Sequence, residues 1–207
     1  MLYARWTPKN YTVTLNGNGG TGGTNSTTVV TGSHMPRITP PTRTGYIFQG
    51  YYDTNAASGG TRYYNADGTS ARTWDKTFNM TLYARWTPTY TVYLIDPKDG
   101  TGYTVNATYD SNMPTIIPPT RLGYAFEGYF YSSTTSGETK YYNANGASAR
   151  KWDIANNVTL YAKWAQKDYT IRYHANGGYG APEPQEKTYG EDITLSAVRP
   201  EKENAFF

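Results

Sequence analysis

The sequence predicts a mainly β to α+β fold that is built from small modules in tandem. Tyr and Gly account for 22 and 21 of the 207 residues, and this composition favours strands and turns over helices. Short stretches alternate between apolar and polar residues, with the period of a half-buried strand. The phrase NMTLYARWTPTYTVYL at residues 79–94 also returns as NVTLYAKWAQKDYTIRY from Asn157. Such a repeat takes precedence over an estimate of domain number from chain length.

The repeat length follows from the positions of equivalent aromatic residues. Trp86 and Trp164 are 78 residues apart, and Tyr11, Tyr90 and Tyr169 follow one another at intervals of 79. The start, MLYARWTPKNYTVTL, is a third and shortened copy, so we expect the chain to be part of a longer protein. The intervals predict four segments: the closing strand of a preceding repeat (1–8), repeat module 1 (9–87), repeat module 2 (88–166) and the first half of repeat module 3 (167–207).

Each module is expected to lead directly into the next. The connections TP and AQKD are too short to act as free linkers, so neighbouring modules should be held in a restricted orientation. The stretch LYARW…YTVTL is then the place where one module's last strand meets the next module's first strand. In such arrays stability is approximately a sum over modules and nearest-neighbour interfaces.

Alternation places the strands and their buried faces. Tyr11, Val13 and Leu15 alternate with Thr12 and Thr14, which is typical of a half-buried strand. The equivalent stretches that begin at residues 90 and 169 repeat the pattern. In the closing strand of the first module, the apolar residues at the even positions 80–86 share one face.

The core of each module is predicted to be aromatic. A unit of this size buries only about 60% of its unfolded surface, and a single Tyr, Trp or Phe buries a large area. Phe48 shares a strand face with Tyr46 and Tyr52, and Gly50 on that face leaves room for a Trp. The predicted structural core comprises Trp74, Trp86, Trp152, Trp164, Phe48 and Phe126, with Trp86 and Trp164 as buried keystones.

Turn signals divide the strands from one another. Asn-Gly, Asp-Gly and Gly-Gly pairs after the first strand of each module predict a hairpin turn. The Pro-Pro pairs at residues 40–41 and 118–119 stop any helix and precede a new strand. Residues 33–38, just before the first of these pairs, are expected to hold one helical or 3₁₀ turn.

Three motifs, in this order, resemble a known family. YTVTL…NGNGG, PPTRTGYIFQGYY and MTLYARW are similar to the Listeria–Bacteroides repeat, also called the internalin B-type repeat. The resemblance covers nearly the whole chain. It implies small β-grasp-like modules in an elongated tandem array, found in surface and secreted bacterial proteins as stalk, spacer or adhesion segments. Tyr51 and Tyr129 stand where the family usually has Trp.

Composition argues against several other classes of function. The net charge is only +3 and no Lys or Arg run forms a stripe, so nucleic acid is not an expected partner. No apolar run approaches the roughly 20 residues that span a bilayer. The absence of Cys excludes disulfides, thiolate metal sites and Cys nucleophiles.

Residues capable of catalysis or metal binding do not form a repeated cluster. His34 and His174 occupy unrelated positions in their modules and are expected to be exposed loop residues. Asp75 follows an Arg by three residues, as Asp153 does, and a local ion pair is the favoured interpretation. Asp96 and Asp99 could serve as calcium ligands, but the regular series of acidic and amide ligands that marks a calcium loop is missing around them. We therefore predict no catalytic residue, no metal and no cofactor.

The leading hypothesis is a non-enzymatic, extracellular repeat segment of a bacterial cell-surface protein, located on the cell surface or secreted. It would act as a spacer or adhesion stalk whose partners are neighbouring repeat modules. The alternative is a module that binds a glycan or a host surface protein through exposed tyrosines, because flat rings with a polar tip suit such partners. The candidate residues are Tyr63, Tyr64, Tyr141 and Tyr142, since in a strand one of each pair should face outward.

Overall fold

A computed structural model describes residues 2–133 and 137–204, and within these ranges the chain contains strands and no helix. The mainly β part of the predicted fold class is therefore confirmed. The strands are β1 (Asn10–Asn16), β2 (Ser26–Val30), β3 (Tyr46–Tyr52), β4 (Arg62–Tyr64), β5 (Met80–Ile95), β6 (Gly102–Thr108), β7 (Tyr124–Ser133), β8 (Gly137–Asn143), β9 (Val158–Gln166), β10 (Asp168–Ile171) and β11 (Gln185–Thr188).

The strands belong to two compact units. The first comprises residues 2–91 together with Asn106–Ser111 and Trp152–Asn156. The second comprises Val92–Val105, Asn112–Lys151 and residues 157–204. Each unit therefore contains residues from more than one sequence repeat.

In the first repeat the strand order is β2-β1-β5-β3-β4. The central pair, β1 and β5, is parallel, and its register sets Val13 opposite Met80 and Leu15 opposite Leu82. The outer pairings are antiparallel. Val13 and Leu82 are fully buried because the alternating apolar faces of the two central strands point to the same side of the sheet.

A β-bulge in β3 changes which side chains enter the core. Phe48 lies opposite Trp86 and Gly50 lies opposite Arg85, so Gln49 is an extra residue in β3. A bulge of this kind reverses the alternation that follows it.

The prediction that Phe48, Tyr46 and Tyr52 share one buried face is therefore wrong. Tyr51, which follows the bulge, is buried, whereas Tyr52 is half-buried and Tyr46 is exposed at the start of the strand. Gly50 does not make room for a Trp. Its φ is +129°, and a Cβ atom there would overlap the backbone of Tyr64 in β4.

The second repeat has the same architecture, with the strand order β6-β5-β9-β7-β8. The parallel pair is formed by the last part of β5 and the start of β9, where Val92 lies opposite Val158. The bulge recurs in β7, where Phe126 lies opposite Trp164 and Gly128 lies opposite Lys163. The two repeats thus share strand order, pairing and bulge position.

The predicted core is confirmed in part. Trp74 and Trp152 are fully buried, and Phe48 is also buried. Trp86, Trp164 and Phe126 are only partly buried, so the prediction of two buried keystones at the closing tryptophans is wrong. Gly20 of the first hairpin lies against the Trp86 ring, and each closing Trp lines an open groove together with residues of the Pro-Pro-Thr-Arg turn.

Residues 33–38 do not form the expected helical turn. The backbone N–H of Met35 donates to Oγ of Ser70 at 3.1 Å, and that of Ile38 donates to the carbonyl of Gly68 at 3.0 Å. Because these donors are bonded to a distant loop, they are not available for the local bonds of a helix. The segment therefore runs extended along the residue 68–74 loop.

The two ends of the described chain contain little regular structure. β10 and β11 form a separate two-stranded antiparallel sheet. Residues 2–9 form no strand, and Trp6 is 89% exposed. The closing strand of a preceding repeat that the sequence predicts at residues 1–8 is therefore not formed at residues 2–8.

Candidate functional site

The closing Trp of the first repeat is fixed to the first hairpin. Trp86 donates its Nε1–H to the carbonyl of Gly17 at 3.0 Å, and its ring lies 5.4 Å from that of Phe48. Gly20 allows the ring to approach, because a Cβ atom at this position would overlap Cζ2 of Trp86. The Gly-rich hairpin is thus shaped to cover an aromatic ring, and it shows no feature of a phosphate-binding loop.

Backbone hydrogen bonds surround the junction between the first and second repeats, which lies in the middle of β5 and within the first unit. The N–H of Thr89 donates to the carbonyl of Gly45 at 2.8 Å. The N–H of Tyr109 donates to the carbonyl of Pro88 at 3.1 Å, and its ring meets that of Tyr90 edge-on at 6.5 Å. Thr89, which follows the Thr87-Pro88 connection, is therefore hydrogen-bonded directly to Gly45, which precedes it.

The corresponding junction in the second unit contains two similar hydrogen bonds, but here one residue both donates and accepts. The N–H of Lys167 donates to the carbonyl of Gly123 at 2.9 Å, and the N–H of Tyr189 donates to the carbonyl of Lys167 at 2.9 Å. The Tyr189 ring meets that of Tyr124 at 5.7 Å and covers Gly123, where a Cβ atom would overlap it. Gln166 adds a bond from Nε2 to the Tyr189 carbonyl at 3.3 Å.

The hydrogen bond to the Gly carbonyl at each junction depends on a turn that both repeats contain. Gly45 and Gly123 both have a φ of +76°, a conformation that Gly adopts without the strain of a Cβ atom. Tyr109 and Tyr189 were missed in the sequence analysis. The signal for them is the recurrence of Thr-Tyr at 108–109 and 188–189, a spacing of 80 residues.

The four candidate binding tyrosines are buried, so the prediction that one of each pair is exposed is wrong. Tyr63 packs against Trp74, and its hydroxyl donates to Oδ1 of Asp75 at 2.6 Å. The hydroxyl of Tyr64 donates to the carbonyl of Pro36 at 2.9 Å. Adjacent residues of a strand face opposite ways, so both faces of the short strand β4 are covered by loops.

The second repeat has the same arrangement. Tyr142 is fully buried and donates its hydroxyl to the carbonyl of Pro114 at 2.9 Å. Tyr141 is buried as well, with the Arg150 guanidinium 5.4 Å from the centre of its ring. These side chains are core residues, and they offer no surface to a ligand.

Asp75 forms the local ion pair that the sequence predicts. Its Oδ2 lies 2.8 Å from Nη2 of Arg72, and both side chains are exposed by more than a third, a setting in which an ion pair stabilises a fold by about 1 kcal/mol at most. The hydrogen bond from Tyr63 is the main cause that holds the pKa of Asp75 below its usual value. The carboxylate therefore serves to anchor Tyr63.

The two histidines and the two aspartates considered as alternative calcium ligands are exposed or take part in local turns. His34 and His174 are exposed, as predicted, and Nδ1 of His174 accepts the N–H of Asn176. Asp96 and Asp99 each use Oδ1 to accept a backbone N–H two residues further on. Across the described residues, no group of three or more His, Asp or Glu side chains is arranged to hold a metal ion.

Other tyrosines, which the sequence analysis did not select, are accessible in the second unit. Tyr93 and Tyr161 are each 44% exposed and lie beside the fully buried Leu94 and Leu160. Their exposure follows from alternation, since neighbouring residues of a strand point to opposite faces. Tyr103, in the first part of β6, is also 44% exposed.

Small β modules that share one fold and are connected by repeated backbone bonds define a tandem repeat protein. The sequence matches the Listeria–Bacteroides repeat domain at residues 11–85, 90–163 and 169–207. The chain therefore belongs to the Listeria–Bacteroides repeat family, which confirms the resemblance of its motifs. No helix in the described part of the chain is long and apolar enough to cross a membrane.

Two curated relatives place the chain among larger proteins. It is 29% identical to a protein of Evansella cellulosilytica named "Putative membrane protein", over all of this chain and 28% of the relative. It is 34% identical to Internalin H of Listeria monocytogenes, over 69% of this chain and 23% of the relative. The chain spans about a quarter of the length of the relatives it matches.

Proposed function

We propose that the chain is a non-enzymatic repeat segment of an extracellular bacterial cell-surface protein, acting as a spacer or adhesion stalk. The observation that carries this proposal is a backbone hydrogen bond that recurs at both junctions, from Thr89 to Gly45 and from Lys167 to Gly123. In each case a second hydrogen bond, donated by the N–H of a Tyr, lies beside it. The family membership and the similarity to Internalin H support the surface role. The name of the Evansella relative, which refers to a membrane, agrees with it.

The junction bonds suit a spacer because they use backbone atoms. A junction formed in this way tolerates different side chains, so further repeats can be added without redesign. The residues at the junction differ between the repeats, Pro88 in one and Lys167 in the other, while the carbonyl acceptor role is kept. Each repeat has a central parallel pair flanked by further strands, an arrangement that supports β-grasp-like modules able to fold independently.

The test is the orientation of neighbouring modules in solution. The chain has no Cys, so Thr28→Cys and Ala144→Cys, both at exposed positions, allow two spin labels to be attached specifically. We expect a narrow distribution of distances between the labels. Four glycines inserted between Thr87 and Pro88 should broaden it, because the insertion separates the bonded residues.

A matched control inserts the same four glycines between Ala57 and Ser58, in an exposed loop away from the junction. This variant should keep the narrow distribution. A distribution that is already broad in the unaltered chain would contradict the spacer function, because modules that reorient freely cannot hold other domains at a set distance.

A further inference from the structure

The second unit contains an open groove of about 350 Å³ between the first hairpin of the second repeat and its Pro-Pro-Thr-Arg turn. We call it the second-repeat groove. This volume lies at the lower end of the range for small-molecule sites, which combine aromatic walls with a few polar groups. The lining residues that matter here are Asp96, Asp99, Tyr103, Arg121, Tyr129 and Trp164.

Aromatic side chains form the walls of the groove. Tyr103 is 44% exposed and Trp164 is partly buried. The Arg121 guanidinium lies 4.0 Å from the ring centre of Tyr124 and 5.9 Å from that of Trp164, and this double contact holds its charged group at the edge of the groove. Rings with one apolar face and polar neighbours can stack on the hydrophobic face of a sugar.

A buried polar group also lines the groove. Tyr129 lines the groove and is only 2% exposed. Burial raises the pKa of Tyr129 to about 12, so the hydroxyl is protonated at neutral pH and can both donate and accept. The groove is also lined by Trp164, whose Nε1 is buried and whose hydrogen no described residue accepts. A buried polar group without a partner is costly, and a ligand hydroxyl would satisfy it.

The charges of the groove favour a neutral ligand. Asp96 and Asp99 bring two negative charges, and Lys98 and Arg121 bring two positive charges. Each carboxylate uses Oδ1 for its own turn, and within the described part of the chain Oδ2 of neither has a donor. Free acceptors and free donors therefore face the same groove, as the hydroxyl groups of a sugar require.

The equivalent groove of the first repeat has a similar volume, about 360 Å³, but different chemistry. None of the described residues that line it is acidic. Arg43, the counterpart of Arg121, donates to the carbonyl of Asn18 at 3.4 Å. The indole N–H of Trp86 is already hydrogen-bonded to the carbonyl of Gly17. Tyr51, the counterpart of Tyr129, does not line the groove. The first repeat is thus an internal control.

We propose that the second-repeat groove binds a neutral saccharide unit. Tyr103 and Trp164 provide the stacking surfaces. The sugar hydroxyls form hydrogen bonds with the hydroxyl of Tyr129 and with the carboxylates of Asp96 and Asp99. This proposal is independent of the spacer function, which rests on the junctions.

The experiment uses the whole chain and titrates it with the methyl glycosides of glucose, galactose, mannose and N-acetylglucosamine and with their β1,4-linked disaccharides. The readout is the indole N–H signal of Trp164 in NMR spectra, identified by its absence from a Trp164→Phe variant. We expect a saturable shift with at least one of these sugars. Tyr129→Phe, which keeps the ring, should weaken the affinity roughly tenfold, the effect of one hydrogen bond to a buried group.

Two further variants sharpen the test. Asp99→Asn keeps Oδ1 for the turn and replaces only the free oxygen, so it should also weaken binding roughly tenfold. Tyr51→Phe makes the matched change in the first repeat and should leave binding unchanged. Melting curves of all variants establish that each one is folded.

Three results would overturn the proposal. One is the absence of a saturable Trp164 shift with every sugar at millimolar concentration. Another is equal weakening by Tyr129→Phe and Tyr51→Phe. The last is binding of a sulfated polysaccharide alone, which would indicate a polyanion surface. Each of these outcomes leaves the spin-label test of the junction unaffected.

Discussion

The indole Nε1–H of Trp86 donates a 3.0 Å hydrogen bond to the carbonyl of Gly17, which ties the last strand of the first repeat to its first hairpin. The equivalent atom of Trp164 is buried, and no described residue accepts its hydrogen. The first hairpin of the second repeat, IDPKDGTG, has charged residues where the first repeat has glycines and asparagines. The closing Trp therefore has the same ring in both repeats, but its indole N–H is hydrogen-bonded in the first repeat and unpaired in the second.

This difference predicts unequal effects of Trp86→Phe and Trp164→Phe. Both substitutions remove the same part of a partly buried ring, but only the first breaks a hydrogen bond, and the second removes an unpaired buried donor. We expect Trp86→Phe to lower the free energy of unfolding by about 1 kcal/mol more than Trp164→Phe. Urea denaturation of the two variants measures the difference, and equal losses would contradict the prediction.

Trp74 should be a principal contributor to the stability of the first repeat. Its side chain is fully buried and packs against Tyr63 at a centroid distance of 5.3 Å. Trp74→Ala is expected to reduce the free energy of unfolding by about 3–5 kcal/mol, the usual cost of removing a buried Trp. Phe78→Ala is the control, because Phe78 is 55% exposed and its loss should cost about 0.5 kcal/mol or less. Thermal and urea unfolding report both values.

Gly50 should not tolerate any side chain. Its φ of +129° strains other residues, and a Cβ atom would overlap the carbonyl oxygen of Tyr64 in the neighbouring strand. Gly50→Ala is therefore expected to destabilise the protein by about 2–3 kcal/mol. Gly59→Ala, at a positive φ with open space around it, should cost about 1 kcal/mol. Similar losses in the two variants would show that the bulge can relax.

Asp75 should make stability depend on acid pH. Its folded pKa lies below the usual 3.8, first because Tyr63 donates a hydrogen bond to it and also because Arg72 is close. A lowered pKa means that the stabilisation is present above the unfolded value and is lost as the pH falls through the folded value.

Asp75→Asn is therefore expected to be less stable than the parent at pH 7, and the difference should decrease below about pH 4. Urea unfolding between neutral and acidic pH measures it. In a Tyr63→Phe background the pH-dependent part should be smaller, since the main cause of the lowered pKa has been removed. A difference that is constant with pH would contradict the role given to the ionised carboxylate.

Local patterns were sufficient to predict the repeat and the central strands. Val13 and Leu15 are buried and Thr12 and Thr14 are exposed, as their alternation indicates. Trp74 is buried as predicted. These features were accessible from the sequence because a strand's two faces are set by residues two positions apart, and because the second copy repeats the same pattern.

Tertiary structure decided which features departed from these patterns. The bulge at Gly50 turns Tyr51 into the core, and Pro36 and Trp74 cover both sides of β4, so that Tyr63 and Tyr64 are buried together. The partners in these contacts lie 11 to 35 positions apart in the chain, from Tyr63 and Trp74 to Gly50 and Arg85.

By itself, therefore, the sequence determined the repeat, its strands and its family, since these depend on local order along the chain. Only the tertiary structure decided that the junctions are hydrogen-bonded through the carbonyls of Gly45 and Gly123, and that the groove of the second repeat contains an unpaired indole N–H at Trp164. The physical reason is that hydrogen bonding and burial depend on atoms brought together from separate segments. Two repeats with the same strands can therefore differ in the one hairpin that covers the closing Trp.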